Sequence, residues 1–127
     1  LEVEEMQDTV YSDEKWVRFI LNQLIANAVK YRTEQPVLRI STHKRQDQVV
    51  LVVEDNGIGI AASDLPRIFE KGFTGCNGRT DKKASGIGLY LCRRICRNLN
   101  HTITAESQAE QGTTIRIGMF RETRGIE

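Results

Sequence analysis

The sequence lacks the features that would take it out of the class of ordinary folded domains. No stretch approaches the ~20 apolar residues of a membrane-crossing helix, and the opening LEVEEMQ has neither the basic nor the apolar region of a secretory signal. Only two prolines occur in 127 residues, and neither a repeat nor a low-complexity tract is visible, which is not the composition of a disordered tail. Neither charge sign dominates: 18 Lys and Arg face 17 Asp and Glu. The broad basic field that draws proteins to nucleic acid or anionic membranes is therefore missing, and no nucleic-acid partner is expected. Cysteine is scarce and odd in number. Cys76, Cys92 and Cys96 show no disulfide-framework spacing, which suits a reducing compartment. Cys92 and Cys96 lie four apart in a helical pattern, and His43 and His101 are too distant in sequence to complete a four-ligand metal set, so core packing is the expected role of the pair.

What is present, 39% apolar and 28% charged residues, suits one compact domain that buries roughly two thirds of its unfolded surface. A short strand is expected near Met6 to Tyr11. Asp13 can cap a helix running to about Tyr31, with Trp16, Val17, Ile20, Leu21, Leu24 and Ala28 at helical intervals. Val37 to Thr42 and Gln48 to Glu54 read as strands of a hairpin. LPRIFEK reads as a short helix, and Thr74 to Ser85, polar and without apolar period, as a mobile loop. Gly86 to about Asn100 reads as a second long helix, with Gly88, Leu91, Cys92, Ile95 and Leu99 on one face and Arg93, Arg94 and Arg97 pointing away. His101 to Glu106 and Thr113 to Phe120 close the chain as strands. The expected fold class is α+β, a two-layer α/β sandwich with a mixed sheet of about five strands covered on one face by about three helices.

Three segments carry chemistry. In VEDNGIGI an apolar strand delivers Asp55 at its end. If that carboxylate faces a pocket it can accept from the exocyclic amine of adenine, whereas the carbonyl of guanine would meet it acceptor to acceptor, so ATP would be chosen over GTP. Gly57 and Gly59 would let the backbone approach a flat base. A plain Asp-Asn-Gly turn is the competing reading. In KASGIGLYL, Gly86 and Gly88 open a helix whose free amides and dipole suit phosphate. On the first helix Gln23, Asn27 and Lys30 share a face beside Tyr31. Asn27 offers a carbonyl oxygen suited to magnesium, and Lys30 a point charge for phosphate. Tyr31 either packs on the base or ribose or is a core tyrosine.

NAVKY (27–31), VEDNGIGI (53–60), RIFEKGFTG (67–75) and ASGIGLYL (84–91) together resemble, in order and spacing, the four boxes of bacterial sensor histidine kinases. The resemblance covers nearly the whole chain and implies the Bergerat ATP-binding sandwich shared with gyrase, Hsp90 and MutL. It implies that Asn27 holds magnesium and acts in catalysis with Lys30, and that Asp55 reads adenine with support from Thr113. The segment between Phe69 and Gly86 would be a lid, anchored by Phe69 and Phe73, and Lys71 and Lys83 would reach phosphate. Ile60, Ile87 and Leu89 fall in the same nucleotide-binding boxes. One position departs: the related ATPases carry a water-activating glutamate four residues before Asn27 and histidine kinases usually an asparagine, but Gln23 stands here. An amide cannot take a proton as a carboxylate does, so water-attacking ATPase chemistry is disfavoured, and whether Gln23 joins the metal shell stays open. WVRFILNQ, GFTGCNGR and ASGIGLYL particularly resemble small-sensor kinases that work beside peptide-antibiotic transporters.

Neither His43 nor His101 is followed by the acidic residue and proline of a phosphoacceptor histidine. The resemblance therefore implies a single catalytic domain, residues 1–127, of a longer kinase. The expected partners are the phosphoacceptor and dimerisation domain of the same kinase and a response regulator. The parent would be a membrane homodimer with this domain on the cytoplasmic side. Two alternatives stay open: a serine kinase of the anti-sigma-factor type, and a non-catalytic nucleotide-sensing module.

Overall fold

The computed structural model describes residues 2–3, 14–73 and 87–120. Its elements in chain order are β1 (Glu2–Val3), α1 (Glu14–Lys30), β2 (Leu38–Arg45), β3 (Gln48–Asp55), a 3-10 turn (Leu65–Arg67), α2 (Gly88–Asn98), β4 (Thr102–Gln108) and β5 (Gly112–Phe120). The five strands form one sheet in the order β1-β2-β3-β5-β4. β1 runs parallel to β2 and every other pair is antiparallel, so the sheet is mixed, as expected. The strand expected near Met6 to Tyr11 and the loop expected at Thr74 to Ser85 lie outside the described residues, as do Asp13, Cys76, Lys83 and Gly86.

Each element follows from local pattern. In α1, Ile20, Leu24 and Ala28 recur every four residues and are the buried ones, a single stripe turned to the sheet. Glu14 pairs with Arg18 one turn on, and Lys30 stands in the last turn, where a cation complements the helix dipole. In β3, Val49, Leu51 and Val53 face inward and pair across the ladder with Met119, Ile117 and Ile115. Arg45 pairs with Gln48, so the β2–β3 hairpin closes on Gln46 and Asp47. Gln46 takes a φ of 46°, the left-handed conformation that two-residue hairpin turns favour.

α2 stops at Asn98, two residues before the expected end. Asn100 adopts φ 61°, its N–H donates to the Arg97 carbonyl (3.1 Å), and the His101 N–H donates to the Cys96 carbonyl (2.7 Å). That is a Schellman cap with asparagine in the usual glycine position. It turns the chain into β4 and buries His101, where desolvation lowers the imidazole pKa. LPRIFEK yields only one 3-10 turn at Leu65–Arg67, opened by Pro66 near its start. Among the described residues the helical layer is thus two α-helices and this turn.

α1 and α2 pack on one face of the sheet around Ile20, Leu24, Ile40, Leu51, Val53, Ile115, Ile117, Cys92 and Cys96. Both cysteines are fully buried; they are the most buried residues of α2, ahead of Leu91 and Ile95. Burial pushes the Cys92 thiol up to about 12 and the Cys96 thiol up to about 11. Because the thiolate is the nucleophile, both thiols should be inert in the fold. At pH 8 iodoacetamide is expected to modify them roughly a hundredfold or more slower in the native protein than in denaturant. Peptide mapping by mass spectrometry reads the two sites separately, and equal rates would contradict this packing.

Candidate functional site

The C-terminal end of β3 brings three loops together on the helical side of the sheet. Asp55 ends β3 opposite Thr113, and Thr113 lies opposite Ser107 of β4. Partners in a ladder project from the same face, so Asp55, Thr113 and Ser107 form a row across three strands. The row borders a cleft of about 520 Å³, lined also by Leu65, Gln108 and Gly112. The Asp55 carboxylate accepts the N–H of Gly57 at 2.8 Å and the backbone N–H of Thr113. Burial nevertheless outweighs these two donors and leaves its pKa above the usual carboxylate value of 3.8. The group is anchored, half-buried and an acceptor at neutral pH.

The NGIGI loop that follows is tied down on both sides. Asn56 uses its backbone and its side-chain amide. Its Oδ1 accepts from the Val37 N–H (2.7 Å), its Nδ2 donates to the Gln35 carbonyl (3.0 Å), and its N–H donates to the Val37 carbonyl (3.3 Å). Asn56 therefore pins the connection between α1 and β2. Ile58 donates to the Tyr31 carbonyl (3.0 Å), and the Ile60 N–H donates to Ser107 Oγ (2.8 Å). The two glycines are required by these contacts. A Cβ on Gly57 would lie 2.5 Å from the Tyr31 carbonyl oxygen, and one on Gly59, at φ 77°, would lie 2.0 Å from the Gln108 carbonyl oxygen. The chain's own backbone thus gives a reason for both glycines besides the expected approach to a base.

α1 and α2 meet each other apart from the residues that line this cleft. Asn27 is half-buried on α1, and Gln23 one turn earlier reaches α2, since a Cβ on Gly88 would lie 2.5 Å from Gln23 Oε1. Ile87 precedes α2 and its side chain makes no cap hydrogen bond, and the first-turn amides of Gly88 and Leu89 have the orientation of an anion site. Lys30 ends α1, exposed, with its Nζ 5.4 Å from the Tyr31 ring centroid. Tyr31 is half-buried. Lys71 lies beside α2, its Nζ 5.9 Å from the Tyr90 ring centroid. Phe69 and Phe73 are only partly buried, whereas Ile68 just before Phe69 is buried, and Arg67 stacks over Phe73 at 4.4 Å.

The residues singled out in the sequence fall into two groups. Asp55, Gly57, Gly59, Ile60 and Thr113 gather at one end of the cleft, while Gln23 and Gly88 meet between the two helices. Gly86 lies outside the described residues. Ser107 escaped notice, although the alternation Ile103, Ala105, Ser107 places a hydroxyl at an inward position of β4 and could have flagged it. Asn56, readable only as part of a turn, holds two loops.

Comparison with known proteins gives the family. Residues 12–124 match the family described as histidine kinase-, DNA gyrase B- and HSP90-like ATPases. Sensor histidine kinase YxdK of Bacillus subtilis is 39% identical over 112 residues, which is 87% of this chain and 34% of that protein. Sensor protein kinase GraS of Staphylococcus aureus is likewise 39% identical over 112 residues, 88% of this chain and 32% of that protein. This chain therefore spans about one third of the length of either relative. Among solved structures, the mycobacterial sensor histidine kinase MprB superposes with a TM-score of 0.80 at 21% identity, covering 94% of this chain and 82% of that one, which is a likeness of fold. On the family match, with sensor histidine kinases as its relatives, the chain belongs to the histidine kinase-, DNA gyrase B- and HSP90-like ATPases.

Proposed function

We propose that this domain binds Mg-ATP and donates the γ-phosphoryl group to a histidine on the dimerisation domain of a sensor kinase. The observation that carries this reading is the Asp55 carboxylate, fixed by two backbone donors at the edge of the cleft. Asp55 selects the amine of adenine. The α2 amides of Gly88 and Leu89 and the ammonium groups of Lys30 and Lys71 receive the phosphates. Gly86 and Lys83 belong to the same phosphate-binding region by sequence.

Phosphoryl transfer passes through a loose transition state, so positioning and charge neutralisation supply most of the catalysis. The P–O bond to the β-phosphate breaks, a P–N bond to the imidazole forms, and ADP leaves. The donor set suits magnesium: Asn27 and Gln23 offer amide oxygens, and no group of three or more His, Cys, Asp or Glu gathers among the described residues. Such a set fits an ion held mainly by phosphate oxygens and water rather than by a protein cage. When bound, magnesium supplies neutralisation of phosphate charge. Gln23, an amide, holds no proton-accepting carboxylate against the cleft, which favours transfer to a protein nucleophile over hydrolysis.

The domain is one catalytic unit, residues 1–127, of a longer chain, and its parent is a membrane homodimer that passes the phosphoryl group to a response regulator. The 39% identity to YxdK and GraS supports this context, and the resemblance of the segments noted above favours a small-sensor kinase as the parent. Calorimetric titration with ATP and GTP, with and without magnesium, tests the binding step. Selective ATP binding that magnesium strengthens is expected, followed by transfer of labelled phosphate to an added histidine-bearing dimerisation domain. Binding without transfer would favour a nucleotide-sensing module, and transfer to serine instead of histidine would favour the serine-kinase reading.

A further inference from the structure

Ser107 Oγ is the most connected side-chain atom beside the cleft. It lies 2.8 Å from the Ile60 N–H, 2.8 Å from the Gly112 carbonyl oxygen and 2.9 Å from Thr113 Oγ1. A hydroxyl has one hydrogen and two lone pairs, and two of these three contacts have only one possible direction. The Ile60 amide can only donate. The Gly112 carbonyl can only accept, so it takes the single hydrogen of Ser107. Nothing is left for Ser107 to give to Thr113, and the third contact must run from the Thr113 O–H to Ser107 Oγ. Ser107 is then saturated, and Thr113 Oγ1 has spent its hydrogen. What Thr113 presents towards Asp55 and the cleft is lone pairs alone.

We infer that Ser107 is a specificity-determining positioning residue, which fixes the Thr113 hydroxyl as an acceptor so that Thr113 and the Asp55 carboxylate present the same polarity to the base. The inference rests on the proposed adenine site and deepens it. A 6-amino base donates to two fixed acceptors, directly or through a water; a 6-oxo base meets two acceptors and loses both contacts. Without Ser107 the Thr113 hydroxyl can rotate and donate, and one of the two rejecting elements disappears. Ser107 itself need not touch the nucleotide. Its effect passes through Thr113, and it also carries the Ile60 amide, which joins the NGIGI loop to the β4–β5 hairpin.

The test is the ratio of dissociation constants for ITP and ATP, measured by calorimetry with magnesium on the whole chain. The variants are Ser107→Ala, Ser107→Thr, Thr113→Val and the double variant Ser107→Ala/Thr113→Val. The wild-type protein should prefer ATP. Ser107→Ala should shrink the ratio by about tenfold, the worth of one hydrogen bond, mainly by tightening ITP. Thr113→Val should shrink it similarly, by weakening ATP. The double variant should fall no further than the lower single variant, because both act on one hydroxyl, and Ser107→Thr, which keeps the hydroxyl, should restore the ratio.

If Ser107→Ala weakens ATP and ITP equally, Ser107 is merely structural and the inference fails. Should Ser107→Ala not fold, Thr113→Val still decides, since an unmoved ratio there removes Thr113 from base selection and the inference with it. Failure of the wild-type protein to bind ATP would instead overturn the adenine site itself, an outcome distinct from an ATP-binding protein whose selectivity ignores Ser107.

Discussion

Asp55→Asn should fold normally and lose ATP affinity by about 10- to 100-fold, the range for a hydrogen bond to a charged acceptor. The size follows from how the side chain is held. The N–H groups of Gly57 and Thr113 both donate to it, so an asparagine must turn its oxygen towards them. Its NH2 then faces the cleft, and the amine of adenine meets a donor where it needs an acceptor. The fold has little to lose. Burial raises the Asp55 pKa above 3.8, which means that ionising the carboxyl costs more in the native chain than in the unfolded one.

Between 3.8 and that raised value the folded state binds more protons, so the stability contributed by Asp55 declines as pH rises through this window. The asparagine variant carries no such decline, and its melting temperature at pH 7 should equal or slightly exceed that of the wild-type protein. ATP affinity runs the other way. In the wild-type protein it should weaken on acidification as the carboxylate takes up its proton, whereas in Asp55→Asn the residual affinity should lack that step. Calorimetry from pH 4 to pH 8, paired with thermal melts, measures both slopes. Unchanged ATP affinity in a folded Asp55→Asn protein would remove the adenine assignment.

The contrast between Asp55 and Ser107 shows what the sequence made legible. Asp55 stands two residues after a run of five apolar residues and opens a glycine-punctuated loop, so its strand-end position follows from pattern alone. The sheet is equally readable, because β3 holds the apolar run Val49 to Val53 and β5 alternates through Ile115, Ile117 and Met119. Ser107 sits in TITAESQ, where inward and outward positions differ weakly in hydropathy; its role depends on three partners that are 47, 5 and 6 residues away. Helix ends were blurred for a similar reason. α2 stops at Asn98 because Asn100 enters the left-handed region and His101 donates back to Cys96, and asparagine is a weaker stop signal than glycine. LPRIFEK kept only a single 3-10 turn, since Pro66 lacks an N–H and only Ile68 of its apolar residues is buried. Gly57 and Gly59 also make room for the backbone of Tyr31 and Gln108, contacts that no local pattern announces.

Gly59→Ala should be the most damaging small substitution in the loop, lowering the melting temperature by about 10 °C and abolishing tight ATP binding. Two costs combine. Gly59 has φ 77°, and holding an L-residue there costs about 1–2 kcal/mol. The new methyl would also lie 2.0 Å from the Gln108 carbonyl oxygen and 2.8 Å from its carbon. That neighbour is backbone at the end of β4, fixed by the ladder pair Gln108 with Gly112, so it cannot swing aside as a flexible side chain would. Relief must come from separating the NGIGI loop from the hairpin. The same movement pulls the Ile60 amide off Ser107 and the Glu110 amide off the Ile58 carbonyl, leaving backbone groups without partners at about 1–3 kcal/mol each. Gly72 supplies the control, because it has φ 80° with nothing within 4 Å of its Cβ position. Gly72→Ala carries the conformational cost without the collision and should lower the melting temperature by only about a third as much. A Gly59→Ala protein as stable as Gly72→Ala would show that the hairpin yields freely, and the coupling of the NGIGI loop to β4 would then be too weak to hold the Asp55, Thr113 and Ser107 row in register.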